Sequence, residues 1–200
     1  IGPDAENHVV KISTSISKLG SLLNSVRNEE VLHAFKSHTE LEQVEVSEIC
    51  REVVGHFSWE LQEKGIQIKY SLKEPCYVRA ERSALANQVL ANILSNAIKF
   101  SDVGKTIEVS CHDRESSVVV SVRDEGVGIA PEDLVHLFKG TRIISSKGTA
   151  NESGSGIGTY LVSEYMKIFG GHIEVSSVHR RVNSASGTVV SLVFPTSSKT

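Results

Sequence analysis

Apolar residues recur at Val9, Ile12, Ile16, Leu19, Leu23 and Val26, in alternating steps of three and four. That spacing is a heptad seam on a helix whose other faces carry Ser, Lys and Asn, and such a seam wants a partner helix. It is too short for a free-standing coiled coil and fits a larger helical bundle; an amphipathic helix packed on its own domain is the plainer alternative. The seam fades through Asn28-Glu29-Glu30, and residues 28–43 read as the end of this stalk and a linker.

Beyond residue 43 the pattern changes. Ser47 is placed to cap a helix with Glu48 in its first turn, an apolar stripe at Ile49, Val53, Phe57 and Leu61, and Gly65 as a left-handed stop. Ile66, Ile68 and Tyr70 alternate as a strand, and Cys76-Tyr77-Val78 reads as a short one. The spacing predicts a helix over 82–99, with Leu85, Val89, Ile93 and Leu94 inward. Ile107, Val109 and Cys111 alternate, as do Val118, Val120 and Val122, and the polar run Asp113-Arg114-Glu115-Ser116 joins them as a hairpin. A glycine-punctuated stretch from Gly126 to Gly158 leads into a helix through Ile168, ended by Gly170-Gly171. Strands over 172–177 and 188–194 follow. Hairpins with interspersed helices, lacking strict βαβ alternation, predict an α+β two-layer sandwich: a mixed, largely antiparallel sheet covered on one face by helices and preceded by a long amphipathic helix.

Charge and cysteine usage narrow the function classes. A net charge of −3 with scattered basic residues argues against a nucleic-acid-binding surface. Cys50, Cys76 and Cys111 each fall in an apolar pattern, which reads as buried reduced thiols and points to the cytoplasm. No run of about 18 apolar residues is present, so any membrane anchor is expected outside these residues.

Three polar clusters carry candidate chemistry. Asn92, Asn96 and Lys99, at i, i+4 and i+7, share one face of an otherwise apolar helix. An amide oxygen is a hard ligand for magnesium, and an ammonium is a point charge for a phosphate; a plain solvated face is the alternative. Asp124-Glu125-Gly126-Val127-Gly128 follows the valine strand. There a carboxylate can accept from the exocyclic amine of adenine while the glycines let backbone pass close, although such glycines also make ordinary turns. Gly154-Ser155-Gly156-Ile157-Gly158 opens a helix, where free amides and the positive dipole end suit phosphate. It is neither a Rossmann fingerprint nor a Walker loop. Between the second and third clusters, about residues 139–153 are Ser-, Gly- and Lys-rich and read as a lid or as an ordinary polar loop.

The run over 92–101, Asp124-x-Gly-x-Gly, Phe138, Gly-x-Gly-x-Gly, Gly170-Gly171-His172-Ile173-Glu174-Val175 and Gly187-Thr188 together resemble the catalytic domain of bacterial sensor histidine kinases. That domain belongs to the superfamily of gyrase, heat-shock chaperone and mismatch-repair ATPases, and the resemblance covers about residues 44–196. It implies a Bergerat-type fold that binds ATP with Mg²⁺. Asn96 would coordinate the metal, Asn92 would support metal and phosphates, and Lys99 would contact phosphate. Asp124 would read adenine, with Gly126 and Gly128 shaping the pocket and Thr188 assisting through a water. Phe138 would anchor one end of the lid, and Gly154, Gly156 and Gly158 would form its far hinge. Lys139, Arg142 and Lys147 stand where the family often carries a second aromatic and basic residues, and the cation that meets the γ-phosphate is left open among them.

The resemblance also divides the chain into 1–43, the second helix of a dimerisation and phosphoacceptor domain with its linker, and 44–200, the catalytic domain. The family's acceptor is a His followed by Glu or Asp. His8-Val9, His33-Ala34 and His38-Thr39 do not fit, so the acceptor is expected upstream. Gyrase-like relatives activate water with a glutamate where this chain has Asn92, an amide without basicity, which disfavours hydrolysis. The implied activity is transfer of the γ-phosphoryl to a His of the same or a partner subunit in a homodimer, and onward to a response-regulator Asp. An anti-sigma-type Ser/Thr kinase, which normally lacks a stalk, and a degenerate regulatory module are the alternatives.

Overall fold

Alternation along the strands decides the sheet. In the computed structural model, which describes residues 40–137, 148–150, 158–182 and 185–196, five strands form one sheet in the order β2-β4-β5-β7-β6. They are β2 (Gln67–Leu72), β4 (Thr106–Arg114), β5 (Ser117–Asp124), β6 (His172–Val178) and β7 (Gly187–Pro195). Only β2 and β4 pair in parallel; the other neighbours are antiparallel. The expected hairpin is β4–β5, with Glu115 at φ 52° in the tight turn between Arg114 and Ser117. Ile107, Val109, Cys111, Val118, Val120 and Val122 are all buried, as their alternation requires.

Three helices cover the core side of this sheet: α1 (Val46–His56), a long helix α3 over 82–100, and α5 (Gly158–Ile168). They pack on one another and against β4, β5 and β6. Leu85, Val89, Val162 and Met166 are essentially fully buried there; each such side chain contributes ~1.5–3 kcal/mol relative to exposure. Short helices α2 (Ser58–Glu63) and α4 (Pro131–Leu134) complete the helical set among the described residues. Thr39–Thr200 forms one compact unit. The α+β sandwich with a mixed, largely antiparallel sheet is therefore the observed fold. The stalk seam from Val9 to Val26 lies outside the described residues.

Local expectations need four corrections. Ser47 is not the cap of α1; Glu45 is. Its carboxylate accepts from the amides of Ser47 (3.4 Å) and Glu48 (2.8 Å), and also from Cys76 N–H at 2.7 Å. Burial opposes ionisation of Glu45, but these hydrogen bonds outweigh it and lower its pKa. The stripe predicted to run through Phe57 is broken there, because Phe57 leaves helical geometry and separates α1 from α2.

A strand went unseen at β1 (Glu42–Glu45), which pairs antiparallel with β3 (Tyr77–Ala80). Its sequence EQVE holds one apolar residue, Val44, buried opposite Val78. Nothing local announces that pairing.

The cysteines also differ from expectation. Cys76 and Cys111 form a disulfide across 35 residues, and only Cys50 is a free thiol, its pKa pushed up to about 12 chiefly by burial. The segment after β2 follows β4, with Lys73 N–H donating to Cys111 C=O at 2.9 Å, and this brings Cys76 against Cys111. Sequence spacing carries no trace of that approach. Among the described residues, no helix is long and apolar enough to cross a membrane.

Candidate functional site

Helix α3 sets one wall. Glu81 caps it through the amides of Ser83 (2.9 Å) and Ala84 (2.6 Å). A π-helical stretch, Leu85–Leu90, widens the helix before the regular turn Ala91–Phe100. Wide turns of this kind recur at functional sites because they re-aim the side chains that follow. Asn92, Asn96 and Lys99 all lie half-buried on that last segment, between the buried Ile93, Leu94, Ala97 and Ile98. Asn92 Nδ2 donates to Gln88 C=O at 2.7 Å, which leaves its Oδ1 turned toward the start of α5. A Cβ on Gly158 would sit 2.4 Å from that oxygen. Position 158 therefore takes glycine because the Asn92 amide occupies the space beside it.

The other end of α3 is held by a residue the sequence reading passed over. Lys64 is only 9% exposed, and its ammonium donates to the carbonyls of Ile98 (3.0 Å) and Lys99 (3.1 Å) and to Thr149 Oγ1 (3.0 Å). A cation on the last free carbonyls is favourable to the helix dipole. Thr149 N–H also donates to Lys99 C=O at 3.0 Å, so residues 148–150 meet the helix at the same point.

The second wall is the end of β5. Asp124 is 9% exposed, and its Oδ1 accepts from Gly126 N–H at 2.8 Å and Thr188 N–H at 3.2 Å. Its Oδ2 receives no hydrogen bond among the described residues. Burial raises the Asp124 pKa to about 6, against the lowering effect of those two amides. One carboxylate oxygen is thus locked and the other is free, in a desolvated place where any donor reaching it is bound strongly.

The loop after Asp124 is fastened on both sides. Val127 N–H donates to Phe100 C=O at 3.0 Å, tying it to the end of α3. Arg180 N–H donates to Val127 C=O at 2.9 Å, and Ser186 Oγ to Gly126 C=O at 2.6 Å. Gly128 has φ 69°, and a Cβ there would lie 2.0 Å from Val178 C=O, so both its backbone angle and its neighbour require glycine. Ile129 N–H donates to Ser177 Oγ at 2.8 Å.

Of the sequence-derived candidates, Asn92 and Gly158 meet at one end of the regular segment Ala91–Phe100 of α3. The Asp124–Gly128 loop and Thr188 meet near the other, with Asn96 and Lys99 on the helix between. The separation along the helix from Asn92 to Phe100 is about 12 Å. Phe138, Gly154 and Gly156, with Lys139, Arg142 and Lys147, lie outside the described residues. Ser177, Ser186, Arg180 and Lys64 were missed. They are ordinary polar residues in strands, loops or helix ends, and only the fold gives them partners. Among the described residues no group of three or more His, Cys, Asp or Glu could hold a metal ion. A cation here would rely on the amide oxygen of Asn96 together with oxygens of the ligand and water, a donor set that suits magnesium, which keeps several waters.

Comparison with known proteins places this geometry. Residues 81–198 match the family model described as histidine kinase-, DNA gyrase B-, and HSP90-like ATPase. The sensor histidine kinase YcbM of Bacillus subtilis is 27% identical over 178 residues, covering 88% of this chain and 57% of that protein. The sensor protein KdpD of Clostridium acetobutylicum is 30% identical over 175 residues, covering 88% of this chain and 18% of its own length. The chain thus spans little more than half of one relative and under a fifth of the other. Among solved structures, histidine kinase ThkA in complex with response regulator protein TrrA superposes with a TM-score of 0.64 at 22% identity, over 98% of this chain and 53% of that one. That likeness is one of fold.

Proposed function

The chain belongs to the histidine kinase-, DNA gyrase B- and HSP90-like ATPase family, and from that premise we propose that it is the ATP-binding catalytic part of a sensor histidine kinase. In this reading residues 44–200 bind Mg·ATP, and residues 1–43 are the second helix of a dimerisation domain with its linker. The γ-phosphoryl passes to a His on the acceptor helix of the same or a partner subunit in a homodimer, and then to an Asp of a response regulator. The relatives' names and the fold shared with a kinase bound to its response regulator support this partner class. A cytoplasmic location goes with it.

The observation that carries the reading is the placing of Asn92 and Asp124 at the two ends of the regular segment Ala91–Phe100 of α3. Asp124 offers a free, desolvated oxygen to an amino group on a base. Asn92, some 12 Å away along α3, presents an amide and no base at the phosphate end, so water is not activated there. Asn96 would supply an oxygen ligand to a magnesium ion, which would neutralise phosphate charge when bound. Lys99 adds a fixed positive charge, and Gly158 lets the positive end of α5 come close beside the Asn92 amide, where phosphate is favoured. The residues thereby hold ATP in line, and the nucleophile comes from elsewhere. A neutral imidazole nitrogen attacks phosphorus, the N–P bond forms, the bond to the β–γ bridging oxygen breaks, and ADP leaves with those electrons.

The test is incubation with γ-labelled ATP and Mg²⁺ of a chain extended upstream through the acceptor helix. Protein label that is stable in alkali and lost in acid is the expected result. Released phosphate without labelled protein would favour a hydrolase, and bound nucleotide without either product would favour a regulatory module.

A further inference from the structure

Strand register puts Ile107, Asp124, Thr188 and Ser177 in one row across β4, β5, β7 and β6. Ser177 stands one strand beyond Thr188 and belongs to none of the motifs recognised in the sequence. Its hydroxyl nevertheless meets three groups from two other segments, the loop at Ile129 and β7. It is 2.8 Å from Ile129 N–H, 3.0 Å from Gly187 C=O and 2.9 Å from Thr188 Oγ1.

The capacity of a hydroxyl resolves the direction of all three bonds. It has one proton and two lone pairs. The Ile129 amide can only donate, so it takes one lone pair. The Gly187 carbonyl can only accept, so it takes the single proton. The remaining lone pair can bond Thr188 only if Thr188 donates its own proton. Thr188 Oγ1, although either atom of that pair could be the donor in isolation, is thereby committed to giving its hydrogen away from Asp124.

Two acceptors then stand together in the row: the free Oδ2 of Asp124 and the lone pairs of Thr188 Oγ1. Thr188 is 7% exposed and its own amide holds Asp124 Oδ1, so neither group is bathed in bulk water that could mask the polarity. We propose that Ser177 is a specificity-determining positioning residue, which fixes the Thr188 hydroxyl as an acceptor and so selects a purine edge bearing an amino group over one bearing an oxo group. It also anchors the loop at Ile129, which closes against β6. The proposal rests on the nucleotide reading of this site and deepens it; Ser177 itself touches no ligand.

In the Ser177→Ala variant the Thr188 hydroxyl is free to turn and donate, so an oxo group is no longer refused by that side of the pocket. The test measures affinities of this chain for ATP and for ITP, which differ in the amino or oxo group and the adjoining ring proton, by calorimetry in wild type, Ser177→Ala and Ser177→Thr. Wild type is expected to favour ATP by about 100-fold, the discrimination a site gains from one buried polar pairing. The ratio is expected to fall about tenfold in Ser177→Ala, the loss of one hydroxyl's directing bond, and to stay near wild type in Ser177→Thr, which keeps the hydroxyl. If Ser177→Ala melts far below wild type, Thr188→Val tests the same polarity from the other side and must also lower the ratio.

An unchanged ATP-to-ITP ratio in folded Ser177→Ala, or equal losses for both nucleotides, would overturn the assignment while leaving the nucleotide reading intact. Wild-type chain that binds neither nucleotide would overturn both.

Discussion

The two ends of the regular segment Ala91–Phe100 of α3 are built differently. At the Asp124 end, six backbone or hydroxyl donors from β7, the β6–β7 connection and the loop itself interlock around one carboxylate and two glycines. At the Asn92 end, one amide bonds its own helix and lies against one glycine. The first region is pre-organised before any ligand arrives, and its polarity is set by bonds that cannot be exchanged without cost. The second exposes polar side chains that adapt to what is bound. Recognition of a rigid ring gains from the first kind of site, since ordering is complete in advance. Phosphates and a hydrated cation need the second, since their ligands must arrive with them.

The largest expected effect breaks the rigid end chemically. Asp124→Asn should weaken nucleotide binding about 100-fold, the worth of a charge-assisted hydrogen bond in a desolvated pocket. The same change should leave the melting temperature of the ligand-free protein at pH 7.5 equal to or above wild type. The folded chain keeps the Asp124 proton up to about 6, because burial lifts its pKa above that of an ordinary aspartate, about 4. A carboxyl with a raised pKa binds more protons folded than unfolded in that window, so ligand-free stability falls as pH rises from about 4 to about 6 and is level above. Nucleotide affinity has the opposite trend, because the ligand's amine needs the carboxylate. It should weaken as pH falls through about 6, and a wild-type minus Asp124→Asn comparison removes the titration of the phosphates. A lower melting temperature in Asp124→Asn, or an identical pH profile, would contradict this account.

Next in size is a pair of matched glycine substitutions. Gly128→Ala meets a positive φ and a backbone carbonyl that cannot move cheaply, and should cost about 2–4 kcal/mol of stability as well as nucleotide affinity. Gly158→Ala meets only the end of the Asn92 side chain. It should keep the melting temperature within a few degrees, leave adenosine binding unchanged and slow phosphoryl transfer about tenfold, as expected for a misplaced phosphate-end group. Equal loss of stability in the two variants would erase the contrast between the ends.

The smallest effect serves as the control that touches neither end. Glu45→Ala removes the cap of α1 and the acceptor of Cys76 N–H, and should cost about 1–2 kcal/mol with no change in nucleotide affinity. Because the Glu45 pKa is lowered in the folded chain, its contribution is present above the usual carboxylate pKa and lost as pH falls through the folded value. A melting-temperature difference between wild type and Glu45→Ala that persists undiminished in acid would count against that origin.

Much of this was legible from the chain. The hairpin of β4 and β5, the long helix over 82–100 and the glycine stop at Gly65 follow from periodicity and backbone preference, which act locally. That Asp124, Gly126 and Gly128 gather at the end of β5 was legible because a carboxylate and two glycines at a strand end form a contiguous motif. Ser177 was not, because its role consists of three partners at sequence distances of 10 to 48 residues. Lys64 was passed over because only the fold carries its ammonium to the carbonyls of Ile98 and Lys99. Glu45 was overlooked in favour of Ser47, since both residue types can cap and only the position of Cys76 decides between them.

The amino-acid sequence by itself determined most of the elements, their inward faces and the order of the Asn-, Asp- and Gly-bearing motifs, because hydrophobic alternation, helix capping and glycine conformations depend on neighbours a few residues away. The tertiary structure alone decided which strands are adjacent, that Cys76 meets Cys111, that β1 finds β3, and which way the Thr188 hydroxyl points. Those outcomes depend on long-range register. A one-residue slip in β6 would turn Ser177 to the other face of the sheet and leave Thr188 free to rotate.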